Sequence, residues 1–509
     1  MLTILIFLAA FPCVICDTIL RLEYGIFNGT IENGLSVWRG VPFAKPPVGD
    51  LRFRAPQPPQ QFTSVQKADT FGSSCIQFRT PRDKESAVTD VSEDCLYLNI
   101  WRPTNAQNLP ILFWIYGGGF LMGSSSLPAF DGSHLVQRSN NSIIFVSANY
   151  RVGPLGFLSS EEVRRDGDLN AGLLDQKMAL EWVRKYASAF GGDPTQITVM
   201  GESAGAISIG LHLISASTKR LFDKAILSSG SPAAETYCRP YKDFQSVYNR
   251  LLKKVGCYSA ANTLECLRQC DIRLLLNAGY QLTQTSNPIL AFSPVVDGRY
   301  IVEDCSERLK QQKFLHVPLI VGTNTNEGVS FVDRIPLKNT TLVLFAAIKR
   351  VFPSVSISTL LRIAQLYPIG AAYPKYESRL SLAVGEESII CPSLKLAKAF
   401  SPDVYKYRFN QAEGPNGAFH GADIPYMFHN TRGMMDSEVQ LADLISDYYI
   451  SFIQSGDPNT NSSHIKWPRY DAGKQIVFEA EKTGLEKDPS DNERCDFWNS
   501  FDYTSSIFG

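Results

Sequence analysis

A serine between two glycines is the residue of this sequence whose setting points most clearly to chemistry. Residues 201–205 read Gly-Glu-Ser-Ala-Gly, which fits the pattern Gly-x-Ser-x-Gly. An apolar run at residues 197–200 precedes the pattern and another at residues 207–214 follows it, as a strand–turn–helix unit requires. Such a turn strains the serine backbone and exposes its hydroxyl at a helix N-terminus, where developing negative charge is favoured. Ser203 is therefore the candidate nucleophile.

A serine hydroxyl is a weak nucleophile until a neighbouring base takes its proton. The chain contains six histidines. Where this kind of turn carries a catalytic triad, the chain order is serine, acid, histidine. His420 follows an apolar run at residues 404–409 late in the chain, so it is the candidate base. His212 lies on the segment that leaves the serine turn, too close in sequence to fold back onto Ser203.

Two carboxylates compete for the acid position between the serine and the histidine. Glu327 follows the apolar run at residues 317–321 after a short polar connection. Asp297 lies on a loop at residues 294–298, and no clear strand leads directly into it. The spacing favours Glu327, although it is equally typical of a solvated loop carboxylate.

Three consecutive glycines indicate how the negative charge of a reaction intermediate would be stabilised. Residues 117–119 are all glycine and directly follow a buried-strand pattern at residues 111–116. Residues without Cβ admit the close approach of a substrate carbonyl, and their backbone N–H groups can then donate to an oxyanion.

The order of the apolar runs predicts the architecture that must hold these residues. Short buried-strand runs, including one at residues 143–148, alternate with amphipathic helical patterns at residues 175–190 and 437–454. Two glycines stop the first of these helices. Strands that alternate with helices predict an α/β fold with a mostly parallel central sheet and helices on both faces.

The composition excludes several functional classes. The chain has 509 residues, 44% of them hydrophobic and 19% charged, and its formal net charge is −1. These values are not those of a disordered chain, and they give no basic footprint for nucleic acid or an anionic membrane. No Cys-x-x-Cys pair has a matching second pair or a histidine cluster, so we expect neither a metal site nor a cofactor.

The N-terminus predicts export. Residues 2–15 are almost wholly apolar, and residues 1–16 are interpreted as a secretory signal peptide cleaved before Asp17; the run is short for an uncleaved anchor. Nine of the eleven cysteines then remain, and in an oxidising compartment we expect them to pair, with at least one thiol free or bonded outside the chain. Four sequons are candidate glycosylation sites: Asn28, Asn140, Asn339 and Asn461.

Further segments resemble the type-B carboxylesterase/lipase family, which includes cholinesterases, carboxylesterases and fungal lipases of the α/β-hydrolase fold. The resemblance covers nearly the whole mature chain and rests on residues 93–100, 117–120, 150–153, 172–176, 190–194, 201–205 and 420–421. It implies one α/β-hydrolase domain over residues 17–509. It also implies a triad of Ser203, Glu327 and His420, with oxyanion donors from the backbone of Gly118, Gly119 and Ala204.

The same resemblance assigns supporting residues. Glu202 matches a carboxylate that tunes the site electrostatically, and Ser229 matches a position behind the acid and the histidine. The implied disulfides are Cys75–Cys95, Cys257–Cys266 and Cys391–Cys495, which leaves Cys238, Cys270 and Cys305 unassigned. Two implied ion pairs, Arg52–Glu93 and Arg151–Asp175, are structural.

Departures from the family pattern narrow the expected substrate. No tryptophan lies between Cys75 and Cys95, where cholinesterases hold choline by cation–π attraction, and residues 288–292 lack the paired phenylalanines that narrow an acetyl pocket. We therefore expect a roomier, apolar acyl site without choline ester specificity, in a secreted, monomeric or weakly associating hydrolase of soluble apolar carboxylic esters. Its rate should rise through about pH 6.5, the ordinary histidine pKa.

Two alternatives remain open. A lipase or sterol esterase would act on long-chain lipid esters, but the polar segment at residues 79–85 disfavours a lipase lid. A non-catalytic adhesion member of the fold would lack the serine, which this chain retains.

Overall fold

A computed structural model describes residues 18–78, 88, 90–216, 220–285, 291–332, 340–352, 355–371, 378–412, 414–460, 464–471 and 473–501. The strands of these residues are β1 Ile19–Leu22, β2 Gly25–Asn28, β3 Thr30–Glu32, β4 Leu35–Pro42, β5 Val65–Lys67, β6 Ser74–Cys75, β7 Val91–Ser92, β8 Tyr97–Pro103, β9 Leu109–Ile115, β10 Ile144–Ala148, β11 Gly192–Glu202, β12 Lys224–Ser228, β13 Arg239–Pro240, β14 Val295–Val296, β15 Leu319–Asn324, β16 Val404–Phe409, β17 Lys474–Phe478 and β18 Gly484–Lys487. The α-helices are α1 Ser133–Arg138, α2 Gly153–Phe157, α3 Glu161–Asp166, α4 Ala171–Tyr186, α5 Ala204–Leu213, α6 Gln245–Val255, α7 Thr263–Gln269, α8 Ile272–Thr285, α9 Cys305–Lys310, α10 Val329–Val332, α11 Thr341–Val351, α12 Ile357–Leu366, α13 Arg379–Gly385, α14 Cys391–Phe400, α15 Ile424–Met427, α16 Asp436–Ser455 and α17 Glu493–Ser500.

Eleven of these strands form one large sheet. Its order is β18-β17-β16-β15-β12-β11-β9-β10-β8-β4-β3. The seven strands from β17 to β10 run parallel, and the strands at both ends of the sheet pair antiparallel. Every residue of β10, β12 and β15 is buried, because helices such as α4, α5, α14 and α16 pack against the sheet. The predicted α/β class with a mostly parallel sheet is confirmed.

The element boundaries differ from the predicted ones where the pattern was weakest. Strand β11 begins at Gly192, directly after the predicted helix stop, and runs to Glu202 instead of covering only residues 197–200. Strand β15 continues to Asn324 instead of ending at residue 321. Helix α4 begins at Ala171, four residues before the predicted start, and a 3₁₀ turn at Ala187–Phe190 follows it. Residues 201–202 and 322–324 are polar or glycine, so the apolar pattern alone does not extend the strands over them.

Disulfides and buried ion pairs tie the connections to the sheet. The structure contains the bridges Cys75–Cys95, Cys257–Cys266 and Cys391–Cys495, and it adds Cys238–Cys305. Within the described residues, Cys270 is the remaining unbridged thiol. The two ion pairs that the resemblance implies are both bidentate: Arg52 with Glu93 at 2.7 and 2.8 Å, and Arg151 with Asp175 at the same distances.

Several sequence predictions fall outside the described residues. They are the signal peptide at residues 1–16, the sequons at Asn339 and Asn461, the segment at residues 79–85 and most of residues 288–292. Of the other two sequons, both Asn28 and Asn140 are exposed. In the part of the chain that is described, no helix combines the length and the apolar character needed to cross a bilayer.

Candidate active site

The candidate residues meet at one edge of the parallel sheet. Ser203 directly follows β11, and the glycine loop at residues 117–119 follows β9. Glu327 comes three residues after β15, and His420 lies on the connection that follows β16. Because parallel strands all end at the same edge, this fold brings the four segments together, at the position where open α/β sheets bind ligands.

The serine turn has the strained backbone that the sequence pattern predicts. Ser203 has φ 55° and ψ −124°, a conformation that side chains other than glycine rarely adopt. Its backbone N–H donates to the Ser228 carbonyl at 2.9 Å, which ties the turn to the end of β12. A Cβ on Gly205 would lie 2.0 Å from the Ile115 carbonyl oxygen, so only glycine lets α5 pass this close to β9. The neighbouring strands therefore hold the nucleophile in position.

The glycine loop presents free donors next to Ser203. A Cβ on Gly117 would lie 2.9 Å from the Ser203 Cβ, which shows how closely the loop backbone approaches the nucleophile. Gly118 and Gly119 both have positive φ, at 104° and 62°. Among the described residues, none accepts a hydrogen bond from the backbone N–H of Gly118, Gly119 or Ala204. These three N–H groups are thus available to a negatively charged oxygen at Ser203.

Glu327 is the carboxylate that contacts the candidate base. Its Oε2 lies 2.7 Å from Nδ1 of His420, and its Oε1 accepts the backbone N–H of Asn324 at 2.7 Å. The Glu327 side chain is fully buried. Asp297 instead accepts three backbone N–H groups of its own turn, from residues 299 to 301, and the amide of Asn170. Geometry therefore distinguishes the two carboxylates that sequence spacing left in competition.

Glu202 contacts the other ring nitrogen of the same histidine. Its Oε1 lies 3.2 Å from Nε2 of His420, while within the described residues the Ser203 hydroxyl forms no hydrogen bond. Each imidazole nitrogen thus faces a carboxylate oxygen, and both contacts need a proton, so either the imidazole is cationic or Glu202 is protonated. To act as a base, His420 must exchange Glu202 for Ser203. Catalytic hydrogen bonds are commonly long or absent before substrate binds.

The pKa values of Glu202 and His420 are both raised, for different reasons. Burial raises the pKa of Glu202 to about 7, even though the neighbouring imidazole opposes the shift. For His420, burial alone would lower the pKa, but the charges of Glu202 and Glu327 outweigh it and raise the pKa to about 9. The site therefore favours a protonated imidazole near neutral pH.

Two asparagines that sequence reasoning did not single out join the acid loop to the histidine loop. Asn326 exchanges hydrogen bonds with Ala418: its N–H donates to the carbonyl and its Oδ1 accepts the N–H, both at 2.9 Å. The Asn324 amide donates to the Phe419 carbonyl at 2.7 Å. The only feature of the sequence that could have indicated these asparagines is their position between the apolar run at residues 317–321 and Glu327.

Two further predicted positions have well-defined surroundings. The Ser229 hydroxyl is buried without a partner among the described residues, whereas the hydroxyl of the preceding Ser228 lies 2.5 Å from Oδ2 of Asp423, behind the triad. His212 is buried between Tyr300 and Gln176, and burial lowers its pKa to about 3. It is a neutral core residue. No cluster of three or more His, Cys, Asp and Glu side chains in the described ranges is arranged to hold a metal ion.

Comparison with known proteins identifies the family to which the chain belongs. A model of the carboxylesterase family matches residues 16–498. The para-nitrobenzyl esterase of Bacillus subtilis (strain 168) is 34% identical over 499 residues, covering 94% of this chain and 97% of that protein. Secreted lipase 1 of Botryotinia fuckeliana (strain B05.10) is 34% identical over 528 residues, covering 92% and 89%.

A solved structure extends the match to three dimensions. The crystal structure of Aspergillus niger EstA superposes with a TM-score of 0.85 at 32% identity, covering 95% of this chain and 98% of that one. The family match spans nearly the whole of this chain, and the p-nitrobenzyl esterase and EstA matches span nearly the whole length of both proteins. The chain therefore belongs to the carboxylesterase family and is an enzyme of the esterase and lipase type with the α/β-hydrolase fold.

Proposed function

We propose that this protein hydrolyses carboxylic esters through an acyl-enzyme formed on Ser203. His420 takes the Ser203 proton at Nε2 as the hydroxyl attacks the ester carbonyl carbon, and Glu327 holds the Nδ1–H and stabilises the imidazolium. The resulting oxyanion accepts from the N–H groups of Gly118, Gly119 and Ala204. The C–O bond to the leaving group breaks, and the alcohol departs with the proton from His420. Water then attacks the acyl carbon by the same route and restores Ser203.

One observation carries this proposal above the others. The 2.7 Å contact between His420 Nδ1 and the buried Glu327 lies at the sheet edge where Ser203 occupies its strained turn. A histidine that served only to support the fold would not need a buried acid, a free donor set and a strained serine at one place.

The nucleophile can be tested directly. Ser203→Ala should reduce kcat for p-nitrophenyl butyrate by about 10⁴-fold or more and abolish labelling by a fluorophosphonate probe. The matched control is Ser188→Ala, an exposed serine in the 3₁₀ turn that follows α4, which should keep both the activity and the labelling. Labelling that persists in Ser203→Ala would assign the nucleophile to another residue.

The raised pKa of His420 sets the pH dependence. Only the neutral imidazole can act as the base, so kcat/KM should rise with pH. Because Glu202 and Glu327 stabilise the protonated imidazole, kcat/KM should reach half its maximum at a pH above 6.5, the ordinary histidine pKa. A profile already flat below pH 6 would remove His420 from the role of base.

Apolar esters are the proposed substrates, and small ones are favoured over lipids. The Phe331 ring lies 5.0 Å from the His420 imidazole and is 40% exposed, so an apolar wall adjoins the reacting atoms. One relative is a p-nitrobenzyl esterase and another a secreted lipase, so both substrate sizes occur among the relatives. Comparing p-nitrophenyl butyrate with the palmitate ester distinguishes them: a higher kcat/KM on dispersed palmitate would favour the lipase.

Secretion forms part of the proposal. It is supported by the N-terminal apolar run, by four disulfides and by the secreted lipase among the relatives. Expression of the full chain in a eukaryotic secretory host should give a medium-borne protein that starts at Asp17 and loses mass on glycosidase treatment. Retention of residues 1–16 on the recovered protein would contradict the proposed cleavage.

A further inference from the structure

Three oxygen atoms form a closed triangle directly behind the candidate triad. Asp423, three residues after His420, is 1% exposed. Its Oδ2 lies 2.5 Å from the Ser228 hydroxyl and 2.7 Å from the Tyr407 hydroxyl, and those two hydroxyls lie 2.8 Å apart. We call these three groups the oxygen triangle. All three of its edges are within hydrogen-bond distance.

The sheet register creates this arrangement. Ser228, Gly322 and Tyr407 are partners across the neighbouring parallel strands β12, β15 and β16. A Cβ on Gly322 would lie 1.8 Å from the Tyr407 ring, so the missing side chain is what lets the ring extend across β15 toward Ser228. The oxygen triangle is therefore a built feature of three adjacent strands.

Counting hydrogens shows that the oxygen triangle is one proton short when Asp423 is ionised. Three contacts need three protons, and the Ser228 and Tyr407 hydroxyls supply two. An ionised Asp423 would leave one edge as two facing lone pairs. With a proton on Asp423, each oxygen donates once and accepts once around the ring: Asp423 to Ser228, Ser228 to Tyr407, and Tyr407 to Asp423.

The charges around Asp423 favour the same conclusion. Besides the triangle partners, Asn324 of β15 donates to Oδ1 at 3.3 Å, and the Tyr449 ring of α16 packs 6.5 Å from Tyr407. The charged groups that act on it are Glu327, Glu202 and the His420 imidazole. Three buried carboxylates around one imidazole would leave uncompensated negative charge, which is costly away from water. Burial accordingly raises the pKa of Asp423.

We propose that Asp423 retains its proton at the pH where His420 acts as the base, so that a neutral carboxylic acid closes the oxygen triangle behind the triad. Asp423 is then a positioning residue: it fixes Ser228 and, through Asn324, the acid loop, without adding negative charge beside the imidazole. This inference rests on the proposed function, because its first test reads the pH profile of ester hydrolysis.

Two carboxyl-to-amide variants test the charge of Asp423. Glu202→Gln removes a charge that contacts His420, so the half-maximal pH of kcat/KM should fall by about one unit. Asp423→Asn replaces one neutral group by another that can still donate to Ser228, so its half-maximal pH should stay within about 0.3 unit of the wild type. A downward shift in Asp423→Asn as large as that of Glu202→Gln would overturn the proposal.

Infrared spectroscopy of the full-length protein tests the proton without turnover. At pH 9, where Glu202 is ionised, the spectrum should retain the carbonyl stretch of a protonated carboxylic acid. Tyr407→Phe should move that band, because it removes the hydroxyl that donates to Asp423. The absence of the band, or a band that Tyr407→Phe leaves unmoved, would overturn the proposal even if Asp423→Asn does not fold. Failure of the wild type to hydrolyse any ester would refute the proposed function and leave this measurement valid.

Discussion

Two adjacent residues of strand β16 contact two buried carboxyl groups that differ in charge. Lys406 and Tyr407 point to opposite faces of the sheet, as neighbours on a strand do. On one face, Lys406 Nζ lies 2.9 Å from Asp488, which is fully buried and also accepts from Tyr470 and Ser490. On the other face, Tyr407 contacts Asp423, for which no ion pair with a lysine or arginine occurs among the described residues.

The pKa values move apart accordingly. Burial tends to raise the pKa of Asp488, but the Lys406 ammonium and the hydrogen bonds lower it to about 2. Burial raises the pKa of Asp423, and its contacts with the Ser228 and Tyr407 hydroxyls do not reverse the shift. The same residue type thus holds a fixed charge on one face and a proton on the other. Removing the cation of a matched buried carboxylate destabilises the fold, whereas several buried carboxyl groups without a lysine or arginine partner mark the candidate active site.

The largest expected effect comes from removing the acid that orients the imidazole. Glu327→Gln keeps the size of the side chain but loses the charge that holds the Nδ1–H tautomer, so kcat should fall by about 10⁴-fold. The control is Asp297→Asn, the other carboxylate that the sequence offered; among the described residues its side chain accepts hydrogen bonds from its own turn and from Asn170. If Asp297→Asn, assayed on folded protein, loses as much activity as Glu327→Gln, the assignment of the acid is wrong.

On the opposite face of β16 the expected effect is on stability. Lys406→Met leaves Asp488 buried without its cation and should lower the free energy of unfolding by about 3–5 kcal/mol at pH 7, measured in urea, with kcat/KM unchanged. The native pKa of Asp488 is depressed, so its contribution is complete above the unfolded value near 3.9 and disappears as the pH falls through about 2. In the variant, burial without the cation raises the native pKa of Asp488, so the cost of Lys406→Met should shrink as the pH falls toward 2. A cost that does not change with pH would mean that the loss comes from packing alone.

A smaller effect tests the contact between the acid and histidine loops. Asn326→Ala removes the side-chain acceptor for the Ala418 N–H, which should misplace His420 slightly and lower kcat/KM by about 10- to 100-fold. The matched control is Asn459→Ala. The Asn459 side chain likewise accepts a backbone N–H, that of Trp467, and its amide also donates to the Trp467 carbonyl, in the turn that follows α16. Its loss should affect stability and spare kcat/KM. Equal kinetic losses in both variants would show that Asn326 acts only on global stability.

The sequence predicts those features of the site that local patterns determine. Ser203 and the glycine loop belong to short motifs with their own backbone requirements, and His420 follows a strand pattern whose bounds, residues 404–409, match β16. The choice between Glu327 and Asp297 depended on where β15 ends, and its polar last residues hide that point from a hydrophobicity pattern.

Contacts between residues that are far apart in the sequence cannot be predicted from such local patterns. The oxygen triangle joins Ser228 and Asp423, which are 195 residues apart, through the register of three strands. The bridge between Cys238 and Cys305 likewise depends on how β13 and β14 pair. The charge of Asp423 is a property of all its neighbours together, so no single segment of the sequence reveals it.

Trapping the acyl-enzyme tests the central claim most directly. The enzyme would be mixed with a slowly deacylating p-nitrophenyl ester, quenched in acid and digested, and the peptides would be analysed by mass spectrometry. We expect one added acyl group on the peptide that contains Ser203, and no adduct in Ser203→Ala. An acyl group on any other residue, or ester turnover with no covalent adduct at any quench time, would contradict this expectation.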